Sequence, residues 1–183
     1  MNDRVAVPEP VGGWQEPWPR AFEIAAVLTR LGYTVDDSTK LTYRFLREAQ
    51  RIDLMVAEHE RPAPRHSRRD VMAVTGGRQA LSRVEPVCFE VGASGAVLPV
   101  PSIHGALVLK AAAYTVDSRD RDRHLEEAIT LFACIVDIAP ILGDLQGSDR
   151  KQILRVIRAL DEQPLVAARV PSDRRRPAQR TIE

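Results

Sequence analysis

Cysteine is nearly absent: Cys88 and Cys134 are the 2 in 183 residues, and each lies inside an apolar run. A disulfide framework is thereby excluded, and two reduced core thiols in a cytoplasmic protein are expected instead. No uninterrupted apolar run is long enough to span a bilayer, and the N-terminus, with Asp3, Glu9 and several prolines, has no signal-peptide pattern. No membrane partner is expected. An excess of one charge is lacking too. Lys and Arg total 26 against 25 Asp and Glu, a formal net charge of +1, so no global field draws the chain to nucleic acid and any basic function must be local. There is no internal repeat, and no Cys or third His stands at ligand spacing near His59 and His66, which argues against zinc.

What is present is the composition of a soluble globular domain, 44% hydrophobic and 28% charged, with length for one domain and a real core. Residues 1–20 hold Pro8, Pro10, Pro17 and Pro19 beside Gly12 and Gly13 and read as a flexible Pro-rich arm, which Trp14 and Trp18 could pin to an apolar surface. From 169 to 183 the chain is rich in Arg and Pro and reads as a basic disordered tail. The domain itself is expected over 21–168. Its first element is an amphipathic helix with Phe22, Ile24, Ala25, Val27, Leu28 and Leu31 at helical spacing, closed by Gly32.

A hairpin should follow, with strands Leu41 to Leu46 and Arg51 to Val56 joined by Glu48-Ala49-Gln50. The second strand carries Asp53 in its middle, where a carboxylate is disfavoured unless a cation or donors meet it. Asp53 is either a solvated edge residue or a ligand, and Arg44 on the facing strand could pair with it. After a loop from Glu58 to Arg69, the pattern predicts a short strand at Val71 to Val74, a turn at Gly76-Gly77, a helical turn at Arg78 to Leu81 and a second hairpin, Val87 to Val91 with Ala96 to Val100. Then the period turns helical. Ser102 can cap a helix that is apolar almost all round, with Lys110 its only charge, on a face with Ile103, Leu107 and Tyr114. Asp117 or Ser118 can cap a second helix with Leu125, Ile129, Phe132, Ala133 and Val136 inward. Ser148 can cap a third, with a stripe of Ile153, Leu154, Ile157 and Leu160. The fold class is thus α+β, a small, mostly antiparallel sheet followed by a helical bundle. His104 and His124 read as structural histidines, and the charge run from Arg119 to Arg123 as a solvated helix start.

The order of Tyr43-Arg44-Phe45, Ile52-Asp53-Leu54, Gly76-Gly77-Arg78-Gln79-Ala80-Leu81, Val100-Pro101-Ser102, Gly105-Ala106-Leu107-Val108-Leu109-Lys110-Ala111-Ala112-Ala113 and Arg119-Asp120-Arg121-Asp122-Arg123-His124-Leu125 resembles the AbiEii-type nucleotidyltransferases. These are toxins of type IV toxin-antitoxin systems, and the likeness is to their actinobacterial members, from about Ala21 to Leu160. The resemblance implies a nucleotidyltransferase-like fold and transfer of a nucleotide from a nucleoside triphosphate to a tRNA or protein acceptor, with Mg2+ held by three carboxylates and a cognate antitoxin as a possible partner. Asp53 matches the third of those acids, a metal ligand. Lys110 matches the lysine that meets the triphosphate, and Glu127 or Asp122 the acid of the following helix. Arg44 and Arg121 would join Lys110 and Asp122 on the substrate side.

The family's first two acids, an Asp-x-Asp or Asp-x-Glu pair after a glycine turn, have no counterpart between Met1 and Arg20, and Asp36-Asp37 stands in the wrong order. Three accounts meet that departure: a start assigned too late, a truncated relic, or a pseudoenzyme. The alternative to an enzyme is accordingly a catalytically inactive module that binds a nucleotide, RNA or protein.

Overall fold

The computed structural model describes residues 21–38, 40–41, 43–58, 65–66, 68–91 and 94–182. The arm 1–20, with both tryptophans, and His59 lie outside them.

Helix α1 (Ala21–Arg30) buries Ala25 and Leu28, and Gly32 follows at φ +84°. β1 (Thr34–Val35), β2 (Arg44–Arg47) and β3 (Gln50–Asp53) form a three-stranded antiparallel sheet in that order. Phe45 of β2 is fully buried against Ala25 and Leu28, with Ile24, Tyr33, Val35 and Leu54 around them. The expected hairpin is therefore present but shorter. Glu48 takes a positive φ of 53° in its turn, and the second strand stops at Asp53. Val56 moves instead into β4 (Val56–Ala57), which pairs in parallel with β7 (Ala73–Val74). Between them β5 (Arg65–His66) and β6 (Arg69–Asp70) make a minimal hairpin, and the His66 ring packs 5.8 Å from that of Phe45.

Gly76, at φ +82°, opens α2 (Gly77–Leu81). A Cβ there would also stand 2.9 Å from that of Ala112, so the position needs glycine for both backbone and space. The second hairpin, β8 (Val84–Val91) with β9 (Ser94–Pro101), is longer than expected. Pro86 opposes Pro99. Neither can donate, so this pair turns its unbonded backbone outward and blunts both edges against further pairing. The hairpin stands clear of the core, with Val87, Phe89, Val97 and Leu98 exposed.

Helix α3 (Ile103–Val116) starts where Ser102 accepts the Gly105 N–H at 3.2 Å. Its burial all round follows from its place: α2 lies on one side, α4 (Arg121–Ala133) and α6 (Asp149–Glu162) on the others. Gly105 allows the close approach, since a Cβ would meet Ala80 O and Arg83 O at 3.3 Å. A short α5 (Ala139–Gly143) links α4 to α6, and α7 (Pro164–Arg169) and α8 (Ser172–Ile182) complete the bundle. Its core is Leu107, Ala111, Leu125, Ala128, Ile129, Phe132, Val156, Ala159 and Leu160, closed by Val166, Val170 and Ala178. Among the described residues the chain is thus a mixed α and β protein with small, mostly antiparallel sheets and several helices. None of those helices is long and apolar enough to cross a membrane.

Five expectations are corrected. Residues 169–182 are not a disordered tail: α8 packs on α4 and buries Ala178, because its few small apolar residues find a preformed apolar helix face. Cys88 and Cys134 are exposed rather than core thiols, one on the free hairpin and the other at the end of α4. Val136 falls beyond the end of α4 and is fully exposed. In α6 the buried stripe is Val156, Ala159 and Leu160 with Ile153 and Ile157 beside it, and Leu154 faces outward. Asp117, not a helix cap, accepts the backbone N–H groups of Arg119 and Asp120, and α4 begins after Asp120.

Phe132→Ala should cost about 3–5 kcal/mol in chemical denaturation, the range for a truncated buried aromatic. Val136→Ala should change stability by less than about 0.5 kcal/mol. Equal effects of the two would overturn the placement of the end of α4.

Candidate functional site

Asp53 ends β3 directly opposite Arg44. The guanidinium holds both carboxylate oxygens, Nε donating to Oδ1 at 2.9 Å and Nη2 to Oδ2 at 3.1 Å. Arg51 Nε stands 3.9 Å from Oδ2. Those hydrogen bonds from Arg44 keep the Asp53 carboxyl below its usual range. Arg44 also lies 5.1 Å from the centre of the Tyr43 ring, so its edge holds the carboxylate while a face meets the ring. The expected pairing of Arg44 with Asp53 across the hairpin is present.

Lys110 and Glu127 meet where α3 crosses α4. The ammonium is 2.6 Å from Glu127 Oε2, off the direction of a well-formed hydrogen bond, and Arg123 Nε donates to Oε1 at 2.9 Å. Burial pushes the Glu127 carboxyl up, but the two cations outweigh it and the net shift is downward. His124 stands beside them, Nε2 3.3 Å from Asp117 Oδ2 and Nδ1 3.8 Å from Glu127 Oε2. The Asp117 carboxyl is held down by the Arg119 and Asp120 backbone N–H groups and by His124. The helix periodicity put Lys110 on the face that meets α4; that the facing residue is Glu127 required the packing.

The other expected residues are placed apart. Arg121 lies 5.8 Å from the centre of the Tyr114 ring, and Asp122 accepts from Arg169 Nη1 at 2.9 Å. Asp53 makes its ion pairs with Arg44 and Arg51 and none with the Lys110 cluster. Magnesium held by three carboxylates does not fit this arrangement of the described residues. Among the described residues no three His, Cys, Asp or Glu side chains are grouped to hold a metal, and both oxygens of Asp53 are already bonded.

One cluster had almost no signal in the sequence. Arg83 follows α2, His104 is the second residue of α3, Asp144 follows α5, and Asp149 opens α6. Asp149 is 1% exposed and His104 4%. Arg83 Nη2 donates to Asp149 Oδ2 at 2.7 Å and Nε to Asp144 Oδ2 at 3.0 Å. The Gln146 N–H donates to the same Asp149 oxygen at 3.0 Å. His104 Nδ1 is 3.1 Å from Asp144 Oδ2, and its Nε2 is 3.5 Å from Asp149 Oδ2 without a hydrogen bond. The Asp144 carboxyl is held down by Arg83 first and by His104 as well. Sequence separations of tens of residues hide such a cluster; the one cue was a charge, Asp149, at the start of an amphipathic helix.

No protein-family model, curated protein or solved structure matches the chain.

Arg83→Met should destabilise the protein by about 3–5 kcal/mol, because it strands the buried Asp149 charge; a loss under about 1 kcal/mol would mean the cluster is solvated. Asp144, Asp117 and Glu127 have lowered folded pKa values, so each adds stability that is present above its unfolded pKa and is lost as pH falls through the folded one. Unfolding followed against pH should therefore show stability declining on acidification below about 4.5, the ordinary carboxylate range. Glu127→Gln should flatten that decline, and an unchanged slope would contradict the ion pairs drawn for it.

Proposed function

We propose that this chain is a nucleotidyltransferase-like, phosphate-binding module that does not itself complete a metal-dependent transfer. The observation that supports the reading is the state of Asp53, the acid that the resemblance assigns to metal. It belongs to no group of three His, Cys, Asp or Glu side chains among the described residues that could hold a metal, and Arg44 holds both of its oxygens. A carboxylate so engaged would have to give up two charge-assisted hydrogen bonds before taking a cation.

The phosphate side of the reading rests on the Lys110 and Arg123 pair. Two cations from neighbouring helices converge on one carboxylate, each on its own oxygen. An anion of similar size and charge, such as a terminal phosphate, is matched to the same clip, with Lys110 as a compact point charge and Arg123 as a fork. Glu127 is then the internal competitor that a nucleotide must displace.

Full-length protein titrated with ATP should bind it equally with and without magnesium, and Lys110→Ala should weaken binding about tenfold, the value of one charge-assisted hydrogen bond. Glu127→Gln should strengthen it by removing the competitor. With labelled nucleoside triphosphates, magnesium and an RNA or protein acceptor, no label should be transferred. Transfer that Asp53→Asn abolishes would overturn the proposal.

A further inference from the structure

On the outer side of α6 lies an open groove of about 340 Å³ lined by Gly147, Arg150, Lys151, Leu154 and Arg158. At about 100° per residue, positions 150, 151, 154 and 158 fall within about 100° of arc, opposite the stripe that buries Val156, Ala159 and Leu160. Three cations are thus aligned along about 12 Å of helix. None of the Arg150, Lys151 and Arg158 side chains has a hydrogen bond or an ion pair with a described residue, whereas Asp122, Arg123, Glu126 and Glu127 of α4 are all paired. The acid that opens the helix, Asp149, is turned inward to Arg83, and Asp161 and Glu162 come only at the far end. With a net charge of +1 for the whole chain, this face is a local concentration of positive charge.

We infer that the outer face of α6 is a docking surface for single-stranded nucleic acid, bound by its phosphates. This goes beyond the phosphate clip at Lys110 and uses none of its residues. An acidic helix from a protein partner would need apolar anchors at i, i+3 or i+4, and i+7, and the groove offers one apolar side chain, Leu154. A phosphodiester strand needs only cations along its path and an apolar or flat surface where a base or ribose can rest. Arg150 and Arg158 supply planar forks that meet phosphate oxygens in pairs and stack on bases, with Lys151 between them as a point charge. No donor or acceptor pattern that could read a base edge lines the groove, so the binding is sequence-tolerant.

The test is fluorescence anisotropy of the full-length protein with a labelled single-stranded RNA of mixed sequence, about 12 nucleotides long, within the usual span of such sites. Three phosphate contacts predict a slope of log affinity on log salt of about −2, so raising salt fourfold weakens binding about twenty-fold. The triple variant R150A/K151A/R158A should lose nearly all of that slope and bind at least tenfold more weakly at low salt, with an unchanged circular dichroism spectrum and melting temperature. Absence of RNA binding by the parent, or the same affinity and salt slope in the variant, would overturn the proposal. Capture of polyglutamate in place of RNA would overturn it as well, by assigning the face to an acidic protein. ATP binding by the triple variant is read in parallel: loss of the RNA site with ATP binding retained separates this surface from the Lys110 clip, and either can fail without the other.

Discussion

The contact on which most of this structure depends is the buried guanidinium of Arg83 against Asp149. It joins the turn after α2 to the first residue of α6, with His104 of α3 pressed against the same oxygen. Three elements distant in sequence are held at one point, where removal of either charge would leave the other in a medium of low dielectric. The backbone reinforces it: the Ser102 N–H donates to Arg83 O at 2.6 Å, and Gly105 lets α3 lie directly on that turn. The crossing of α3 over α4 follows from this placement, and with it the meeting of Lys110 and Glu127.

Elsewhere the molecule settles its charges locally. Arg44 answers Asp53 across a two-residue turn, Arg123 answers Glu127 one helical turn away, and Arg169 spans Asp122 and Glu126 from the far end of the bundle. Each pair is at least partly solvated, so each adds little to stability; what they do is occupy. An acid already answered by an arginine is poorly available to a metal, and a lysine already answered by a glutamate binds phosphate only by displacement. On the outer face of α6 the cations of Arg150, Lys151 and Arg158 stand without partners among the described residues and line one open groove. The groove together with its cations, rather than net charge, singles the face out.

Two parts of the chain remain weakly tied to this frame. The β8 and β9 hairpin carries Val87, Phe89 and Leu98 in the open, and a two-stranded ribbon has little stability of its own; its prolines protect its edges but not its faces. The small sheet β1 to β3 has its own core around Phe45 and α1, distinct from that of the helical bundle.

The sequence by itself determined the local elements whose signals are short-range. Ser102 as the cap of α3, the αL glycine at Gly76, the helical period of Leu125, Ile129 and Phe132, and the turn that sets Arg44 against Asp53 were all legible, because each depends on residues within a few positions of one another. Only the tertiary structure decided what those elements face. It exposed both cysteines by leaving one hairpin uncovered, turned Leu154 outward by choosing Val156 and Ala159 for the interface, and folded residues 172–182 into a helix by giving Ala178 a surface to cover. It also gathered Arg83, His104, Asp144 and Asp149 from four segments. Burial and charge pairing at long sequence separation are properties of packing, and a hydrophobic pattern states that a residue has an inward side without stating what lies there.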